Sequence, residues 1–194
     1  MIQNIWAVGR NYADHAKELG NAVPKEPMIF LKAGSTATWG HTIQMPSWQP
    51  HIHHEVELAL RFGADLKIDS AAIALDLTDR DKQNELKSKG HPWTLAKSFK
   101  GSCPLGDFFP VQNLEELKNL EISLKVNGEL RQKGLTSQMI FSLEILIDFV
   151  LKHFPVQPGD LLLTGTPAGV ASFKSGDILE AEIKGKTHHR WTAV

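Results

Sequence analysis

The chain has 194 residues, a length that fits one domain, and 42% of them are hydrophobic against 22% charged. This composition is typical of a folded globular protein and excludes a disordered one. The formal net charge of −1 excludes the strongly basic surface that nucleic acid or an anionic membrane would require, so we expect neither as a partner.

Cysteine usage and the N-terminal sequence bear on the location of the protein. The single cysteine, Cys103, cannot form an internal disulfide, which favours a reducing compartment, and we expect its thiol to pack in the core. The first residues lack the pattern of a signal peptide, and no apolar run approaches the roughly 18 residues that span a bilayer. We therefore expect a cytoplasmic protein.

Short apolar segments separated by glycine and proline predict a β-rich domain with tight turns. In chain order the predicted strands are Ile2–Val8, Met28–Leu31, Glu55–Phe62, Ala72–Leu77, Glu121–Val126, Leu161–Thr164 and Ile178–Ile183. Asn127 and Gly128 both tolerate positive φ, so they predict a hairpin turn directly after the fifth of these strands.

Two helices are predicted among the strands. The first, Tyr12–Leu19, is short and polar. The second begins near Thr136 as its N-cap and ends at about His153, and its apolar residues, Met139 among them, follow helical spacing and should face the core. The fold class is therefore α+β with the strands dominant, although pattern alone does not give the topology.

Acidic residues alternate with apolar ones in the third and fourth strands. Glu55 and Glu57 share one face of a strand, and Asp76 lies opposite the leucines of the next strand. Three carboxylates suit a hard cation such as Mg²⁺ or Mn²⁺. A half-solvated antiparallel strand shows the same alternation, so spacing alone leaves a plain solvent face as the alternative.

A zinc site at the nearby histidines is the less favoured interpretation. The residues are His51, His53 and His54, and no second histidine pair at ligand spacing accompanies them. We expect them to lie at the surface or to support the acidic residues without binding metal.

Eight segments resemble the motifs of the fumarylacetoacetate hydrolase family and occur in the order of that family. They are GRNYADHAKE (9–18), EPMIFLK (26–32), HEVEL (54–58), LDLTDRDKQ (75–83), PWTLAKSF (92–99), NGE (127–129), MIF (139–141) and PGDLLLTGTP (158–167). The resemblance covers nearly the whole chain and is strongest to small single-domain members such as acylpyruvate hydrolases and oxaloacetate decarboxylases. It implies one catalytic domain over residues 1–194, with a mostly β fold of the family's mixed sandwich-roll type, a few helices, and assembly as a homodimer.

The resemblance also implies roles for individual residues. Glu55, Glu57 and Asp76 would bind Mg²⁺ or Mn²⁺. His15 and Glu18 would form a catalytic dyad on a mobile lid around residues 12–21, because residues three apart meet on one face of a helical turn. Three further positions match substrate-binding residues of the family, and the first of them also has a catalytic role: Lys97, Gln83 and Thr166. The Gly-Thr-Pro segment that contains Thr166 has a simple turn as its alternative interpretation. Arg80 lies four residues after Asp76, and we expect it either to bind substrate in the same cavity or to form a loop salt bridge.

The function implied is hydrolysis of a C–C bond in 2,4-dioxo acids of the acylpyruvate type. Water activated by His15 would attack the distal carbonyl, and the leaving carbon would depart as a metal-stabilised pyruvate enolate. Lys97 and Gln83 would stabilise the developing oxyanion. Oxaloacetate decarboxylation and isomerisation or tautomerisation of related 2-oxo acids are the alternatives within the family, and a catalytically inactive ligand-binding protein is the alternative from another class.

One departure from the family pattern concerns the interval between Glu57 and Asp76, which is shorter than the resemblance leads us to expect. If only a surface connection is shortened, Asp76 still reaches the metal. If strand pairing is affected, the third ligand shifts out of place.

Overall fold

The computed structural model describes residues 1–18, 20, 24–49 and 51–194 of the chain. Its helices are α1 (Ala13–Glu18), α2 (Arg80–Ser88), α3 (Thr94–Lys97) and α4 (Leu143–His153). Its strands are β1 (Asn4–Gly9), β2 (Met28–Ala33), β3 (Ala37–Thr38), β4 (Thr42–Ile43), β5 (Ile52–His54), β6 (Val56–Phe62), β7 (Ile68–Leu75), β8 (Thr78–Asp79), β9 (Cys103–Pro104), β10 (Phe109–Pro110), β11 (Glu121–Val126), β12 (Glu129–Leu135), β13 (Leu161–Leu163), β14 (Ala171–Phe173), β15 (Ile178–Ile183) and β16 (Thr187–Ala193).

Two large sheets and two small ones form the fold. The first large sheet has the order β10-β7-β6-β13-β1-β2, in which only the β1–β13 pair is parallel. The second has the order β12-β11-β15-β16-β4, with a parallel pair at β16–β4. The small sheets are β14-β5-β8 and β3-β9. The prediction of a mostly β fold with a few helices is therefore confirmed.

The first large sheet is buried on both of its faces. Leu58 and Leu60 of β6 belong to a core cluster that also contains Leu124 and Trp191 of the second sheet. Ala59, which points the other way along the same strand, belongs to a second apolar cluster. The interpretation of β6 as a half-solvated strand is therefore wrong, and polar side chains on this sheet need partners inside the protein.

Several predicted elements have the bounds that the sequence indicated. The strands β11 and β15 match the predictions residue for residue, and the other predicted strands differ from the observed ones mainly at their ends. Asn127 and Gly128 have φ of 52° and 80°, so the turn between β11 and β12 is the tight hairpin that was predicted.

The helix predicted from Thr136 begins later than expected. Residues 136–138 form a single 3-10 turn, and α4 begins only after Ser142, whose side chain caps it by accepting a hydrogen bond from the Ile145 amide. Asn11 explains the delay. Its backbone carbonyl accepts from the Ile140 amide and its side-chain oxygen accepts from the Phe141 amide, which holds this stretch outside the helix. Met139 packs in the core as expected.

The helix α2 was not among the predicted elements. Leu86 is the one buried apolar side chain of this helix, so the 3.6-residue apolar repeat that indicates a helix is missing. The helix buries Arg80 and Gln83 instead, and Asp79 caps its first turn by accepting a hydrogen bond from the Lys82 amide at 2.9 Å.

The predicted lid falls partly on residues outside the description. The helix α1 ends at Glu18, whereas Leu19 and residues 21–23 are among those that the structure does not describe. The lid therefore stays a prediction. None of the described helices has the length and apolar character needed to cross a bilayer.

Candidate metal and substrate site

Three carboxylates meet at the end of the β6–β7 hairpin. Glu55 lies directly before β6, Glu57 lies within it, and Asp76 directly follows β7. All three side chains are buried, and one oxygen of each lies within 4.8 Å of the others. Within the described part of the chain, this is the single cluster of acidic, histidine or cysteine side chains with the spacing of metal ligands.

The short interval between Glu57 and Asp76 leaves this cluster intact. β6 and β7 pair as an antiparallel hairpin in which Glu57 lies opposite Ala74, and the Asp76 amide donates to the Glu55 carbonyl at 2.8 Å. The connection at 63–67 is a tight turn at the far end of the hairpin. The shortened interval therefore affects only the surface connection between β6 and β7. The strand pairing that positions Asp76 is complete.

Lys97 lies between two of the carboxylates. Its Nζ donates to Glu55 Oε2 at 2.7 Å, to Asp76 Oδ2 at 2.5 Å and to Thr78 Oγ1 at 2.6 Å. Burial disfavours the charged ammonium, but the Asp76 and Glu55 carboxylates outweigh that effect and raise the pKa of Lys97. Lys97 is therefore a cation whose three N–H donors are all in use, and it must exchange one of them to contact a substrate.

A second buried lysine, Lys32, was not among the predicted site residues. Its side chain on β2 is fully buried, and its Nζ donates to Asp76 Oδ1 at 2.7 Å and to the Lys97 backbone carbonyl. Lys32 therefore joins an acidic residue of the cluster to the short helix α3 that carries Lys97.

Arg80 and Gln83 lie on the face of α2 that is turned toward the carboxylates. One guanidinium nitrogen of Arg80 pairs with Glu55 Oε1, and its Nη1 donates to Gln83 Oε1 at 2.6 Å. Because Oε1 accepts from Arg80, the amide NH₂ of Gln83 is left to donate. Both side chains line a cleft whose other lining residues include His15, Lys97, Thr166 and the three carboxylates. Arg80 therefore forms a salt bridge to Glu55, and its substrate-binding role stays a prediction.

The carboxylates of Glu55 and Glu57 differ in their electrostatic environment. Burial favours the neutral form of Glu55, but the Lys97 and Arg80 cations hold the pKa of Glu55 well below its usual range. Burial, together with the neighbouring Asp76 and Glu55 carboxylates, raises the pKa of Glu57 well above its usual range. Its Oε2 accepts from the Gly165 amide at 2.6 Å, which compensates only part of that effect.

Gly165 is required at this position for two reasons. Its φ of 96° lies in the left-handed region, and a Cβ there would lie 2.7 Å from the Asn11 Cβ. The glycine thus brings a backbone N–H to Glu57 in a conformation that other residues rarely adopt.

His15 and Glu18 form a pair at the edge of the same cleft. The His15 Nδ1 lies 3.3 Å from Glu18 Oε2, and the Gly169 amide also donates to the Glu18 carboxylate. Burial lowers the pKa of His15 despite the opposing effect of Glu55, so the imidazole is neutral near pH 7. His15 lines the cleft, whereas Glu18 does not.

Thr166 lines the cleft but has few hydrogen bonds to offer. Its hydroxyl donates to the Val56 carbonyl at 2.8 Å and accepts from Gln132 Nε2 at 2.8 Å. A substrate contact of Thr166 is therefore limited to the remaining lone pair of its oxygen. Gln132, a buried residue of β12 that was not predicted, also accepts from the Val56 amide and holds His54 at 2.9 Å.

The three histidines do not form a cluster with metal-ligand spacing within the described part of the chain. His51 is exposed, His53 is half-buried and His54 is fully buried against Gln132. Burial, and next the Arg80 cation, lowers the pKa of His53 to about 4. His51 therefore lies at the surface and His54 inside the protein, and a supporting role for these residues stays a prediction.

The donor set fits a hard divalent cation. All three side chains present oxygen, which Mg²⁺ and Mn²⁺ prefer, and each carboxylate oxygen has lone pairs beyond those used by Lys97, Lys32 and Arg80. Burial and the neighbouring Asp76 and Glu55 carboxylates raise the pKa of Glu57, and a divalent cation at this carboxylate would favour its charged form.

One cleft of this mostly β fold contains three buried carboxylates with the spacing of metal ligands, cationic side chains beside them and a neutral histidine. Residues 4–192 match the family model described as fumarylacetoacetate (FAA) hydrolase C-terminal. The chain is 46% identical over 194 residues to the mitochondrial oxaloacetate tautomerase FAHD1 of Bos taurus, an alignment that covers 94% of this chain and 88% of the relative. It is 42% identical to the mitochondrial oxaloacetate decarboxylase of Dictyostelium discoideum, over 94% of this chain and 89% of the relative.

A solved structure shows the same architecture. Fumarylpyruvate hydrolase from Pseudomonas aeruginosa, in complex with Mn²⁺ and pyruvate, superposes with a TM-score of 0.93 at 31% identity, covering 100% of this chain and 90% of that chain. The chain belongs to the fumarylacetoacetate hydrolase family, as its motifs predicted, and is an enzyme of that family.

The expectation of a cytoplasmic location is wrong by the same comparisons. The relatives from Bos taurus, Homo sapiens and Arabidopsis thaliana are all named as mitochondrial. The expectation rested on one cysteine and on the lack of a secretory pattern, and neither feature distinguishes the cytosol from another reducing compartment.

Proposed function

We propose that this protein acts on oxaloacetate and related small 2-oxo acids, and that Glu55, Glu57 and Asp76 hold the Mg²⁺ or Mn²⁺ ion that the reaction needs. The observation that carries the proposal is the buried carboxylate cluster, with Lys97 and Arg80 against it in one cleft. Relatives named for oxaloacetate tautomerisation and decarboxylation favour this substrate over the acylpyruvates that the motifs first suggested.

An ion held by Glu55, Glu57 and Asp76 would supply Lewis-acid chemistry for the 2-oxo group of the substrate. Side chains of the cleft contribute hydrogen-bond donors and positive charge. The Gln83 amide and Arg80 provide N–H donors toward substrate oxygens on the same side of the cleft. Lys97 supplies a fixed positive charge where oxyanion character develops.

His15 is the base in this proposal. Conversion of the keto form of oxaloacetate to its enol removes a proton from C3 and adds one to the 2-oxygen. A carboxylate can only accept, so the contact with Glu18 holds a proton on Nδ1 of His15 and leaves Nε2 free to take the C3 proton. The lowered pKa of His15 keeps this nitrogen unprotonated at neutral pH.

Hydrolysis of acylpyruvates is the second candidate function. The observation that favours it is the His15–Glu18 pair, since the same base can activate a water molecule for attack on a distal carbonyl. The fumarylpyruvate hydrolase of Pseudomonas aeruginosa has this chain's fold. Decarboxylation needs the polarised 2-oxo group but no attacking water, so the His15–Glu18 pair does not discriminate for or against it.

The test uses one protein preparation and three readouts. The enol-to-keto conversion of oxaloacetate is followed by ultraviolet absorbance, decarboxylation by CO₂ release, and hydrolysis by pyruvate release from acetylpyruvate, each with Mg²⁺ and with excess EDTA. We expect the protein to accelerate at least the enol-to-keto conversion of oxaloacetate in the presence of Mg²⁺. We expect this acceleration to be lost in Glu57→Gln. No acceleration of any of the three, with the metal bound, would refute the proposal and favour an inactive ligand-binding protein.

We also propose the homodimer and the lid of residues 12–21 that the family resemblance implies. Light scattering of the purified protein gives the mass directly, and a monomer would contradict the first. Protease digestion with and without oxalate plus Mg²⁺ tests the second, because a closed lid protects this segment and an immobile segment shows no difference.

A further inference from the structure

Two positively charged side chains in the cleft have no acidic partner among the described residues. Arg10 and Lys87 both line it, and within the part of the chain that the structure describes neither forms an ion pair. The five residues outside the description are Leu, Asn, Ala, Val and Pro, so none of them supplies a carboxylate. Lys32, Lys97 and Arg80 differ from this pair because each contacts Glu55 or Asp76.

Arg10 is held in an unusual conformation beside the cleft. Its φ of 60° lies in the left-handed region, directly after β1 ends at Gly9. The next residue fixes this bend, because the Asn11 side chain donates to the Thr164 carbonyl at 2.9 Å and accepts from the Phe141 amide at 2.8 Å. Strained backbone that its surroundings enforce is concentrated at binding and catalytic sites.

The Arg10 side chain also has a hydrogen-bond donor without a partner. Its Nε is buried and finds no acceptor among the described residues. Buried donors are almost always paired, so an unpaired donor on a residue that lines the cleft points to a ligand acceptor.

Lys87 lies one turn beyond Gln83 on the same face of α2. Its Nζ is 5.2 Å from the centroid of the Trp93 ring, which also lines the cleft. Burial, followed by the positive charges of Arg10, Arg80 and Lys97, lowers the pKa of Lys87 to about 8. The neighbouring positive charges thus repel the Lys87 ammonium, and an anionic ligand would offset that repulsion.

We propose that Arg10 and Lys87 form a second carboxylate-binding subsite, which selects 2-oxo acids with a carboxylate at the far end of the chain. The inference rests on the proposed function for the position of the first carboxylate, which the metal ion and its acidic ligands would hold. A dicarboxylate such as oxaloacetate satisfies both ends, whereas a monocarboxylate such as acetylpyruvate leaves Arg10 Nε and the Lys87 charge unpaired. Guanidinium and ammonium groups in a partly buried cleft bind carboxylates through charge-assisted hydrogen bonds.

The experiment compares Lys87→Met and Arg10→Met with Lys89→Met as the matched control. Lys89 is exposed, lies at the end of the same helix and pairs with Glu85 outside the cleft. For each protein kcat/KM is measured with oxaloacetate and with acetylpyruvate. We expect the ratio of the two values to fall about tenfold in each cleft variant, since a charge-assisted hydrogen bond to a carboxylate has that effect on affinity. Lys87→Arg should recover part of the ratio, and Lys89→Met should match the wild type.

A binding measurement separates this inference from the proposed function. Calorimetric titration of the Mg²⁺-loaded proteins with malate and with lactate requires no turnover, and the two ligands differ by the distal carboxylate. We expect Lys87→Met to weaken malate binding more than lactate binding. If the wild type turns over both substrates but neither the kinetic ratio nor the difference in ligand affinity changes in the variants, the subsite is refuted and the proposed function stands. If no substrate is turned over but malate binding still depends on Lys87, the proposed function fails and the subsite is supported.

Discussion

The Lys32→Met substitution should destabilise the protein strongly, although Lys32 is far in sequence from the acidic residues. Its side chain is fully buried, and its Nζ lies 2.7 Å from Asp76 Oδ1. Removing one partner of a buried ion pair leaves an uncompensated charge, which costs about 3–5 kcal/mol of unfolding free energy.

The structure indicates that the effect lies near the lower end of this range. Asp76 keeps its contact with the Lys97 ammonium at 2.5 Å, and the Lys97 carbonyl keeps the Ser102 hydroxyl at 2.9 Å. Methionine fills most of the volume of the lysine without a charge. We therefore expect a loss of about 3 kcal/mol.

Urea unfolding in the presence of EDTA measures this loss without a contribution from bound metal. Lys125→Met, which changes an exposed lysine on β11, is the control and should stay within about 0.5 kcal/mol of the wild type. If Asp76 is the cause, Lys32→Met should destabilise an Asp76→Asn protein much less than it destabilises the wild type. A loss below about 1 kcal/mol in the wild-type background would refute the reasoning, because it would mean that Asp76 is not left as an uncompensated buried charge.

Three further predictions follow from the pKa shifts and contacts of the site. Because the pKa of Glu57 is raised, the metal-free fold loses stability as the pH rises from the usual glutamate pKa of about 4.3 toward the raised value, and Mg²⁺ binding should release a proton. Calorimetry in two buffers of different ionisation enthalpy measures the released proton. The same proton release in Glu57→Gln would show that the proton does not come from Glu57. His15→Gln should lower the rate of oxaloacetate tautomerisation by about 10²-fold or more, and should leave Mn²⁺ affinity within about threefold; an equal rate would exclude His15 as the base. His53 has a pKa lowered to about 4, so the protein should lose stability as the pH falls from about 6.5 to 4, and thermal melts of His53→Asn should show a shallower loss than the wild type.

Local pattern was sufficient to predict much of the sheet structure. The strand β11, the strand β15 and the turn at Asn127 and Gly128 follow from alternation and from turn chemistry, which act between neighbouring residues. The carboxylate positions were indicated by alternation, but only the family resemblance favoured a metal site over a solvent face.

Other features depend on contacts that no local pattern contains. The first large sheet has two buried faces because apolar segments from distant parts of the chain cover it, so the acidic face of β6 is inside the protein. Lys32 and Asp76 are 44 residues apart, and Gln132 and Val56 are 76 apart, so their hydrogen bonds follow from tertiary pairing. One signal was nevertheless present, since Lys32 follows four apolar residues in a predicted strand, where an unpaired lysine would be costly.

The start of α4 and the existence of α2 were misjudged for related reasons. Asn11 holds residues 140 and 141 outside the helix through hydrogen bonds across more than a hundred residues of sequence. The buried face of α2 is polar because it faces the carboxylate cluster, so the apolar repeat that normally reveals a helix is absent. In both places contacts between distant parts of the chain, including those at the site, determine the secondary structure.

Equilibrium dialysis with Mn²⁺ tests the central claim most directly, since it measures the metal site itself. Glu57→Gln removes one of the three proposed ligands, and Glu182→Gln changes an exposed glutamate of β15 as the control. We predict one Mn²⁺ per chain in the wild type and in Glu182→Gln, and an affinity at least about tenfold lower in Glu57→Gln. Wild-type affinity in Glu57→Gln, or no Mn²⁺ binding by the wild-type protein, would contradict the assignment of this cluster as the metal site.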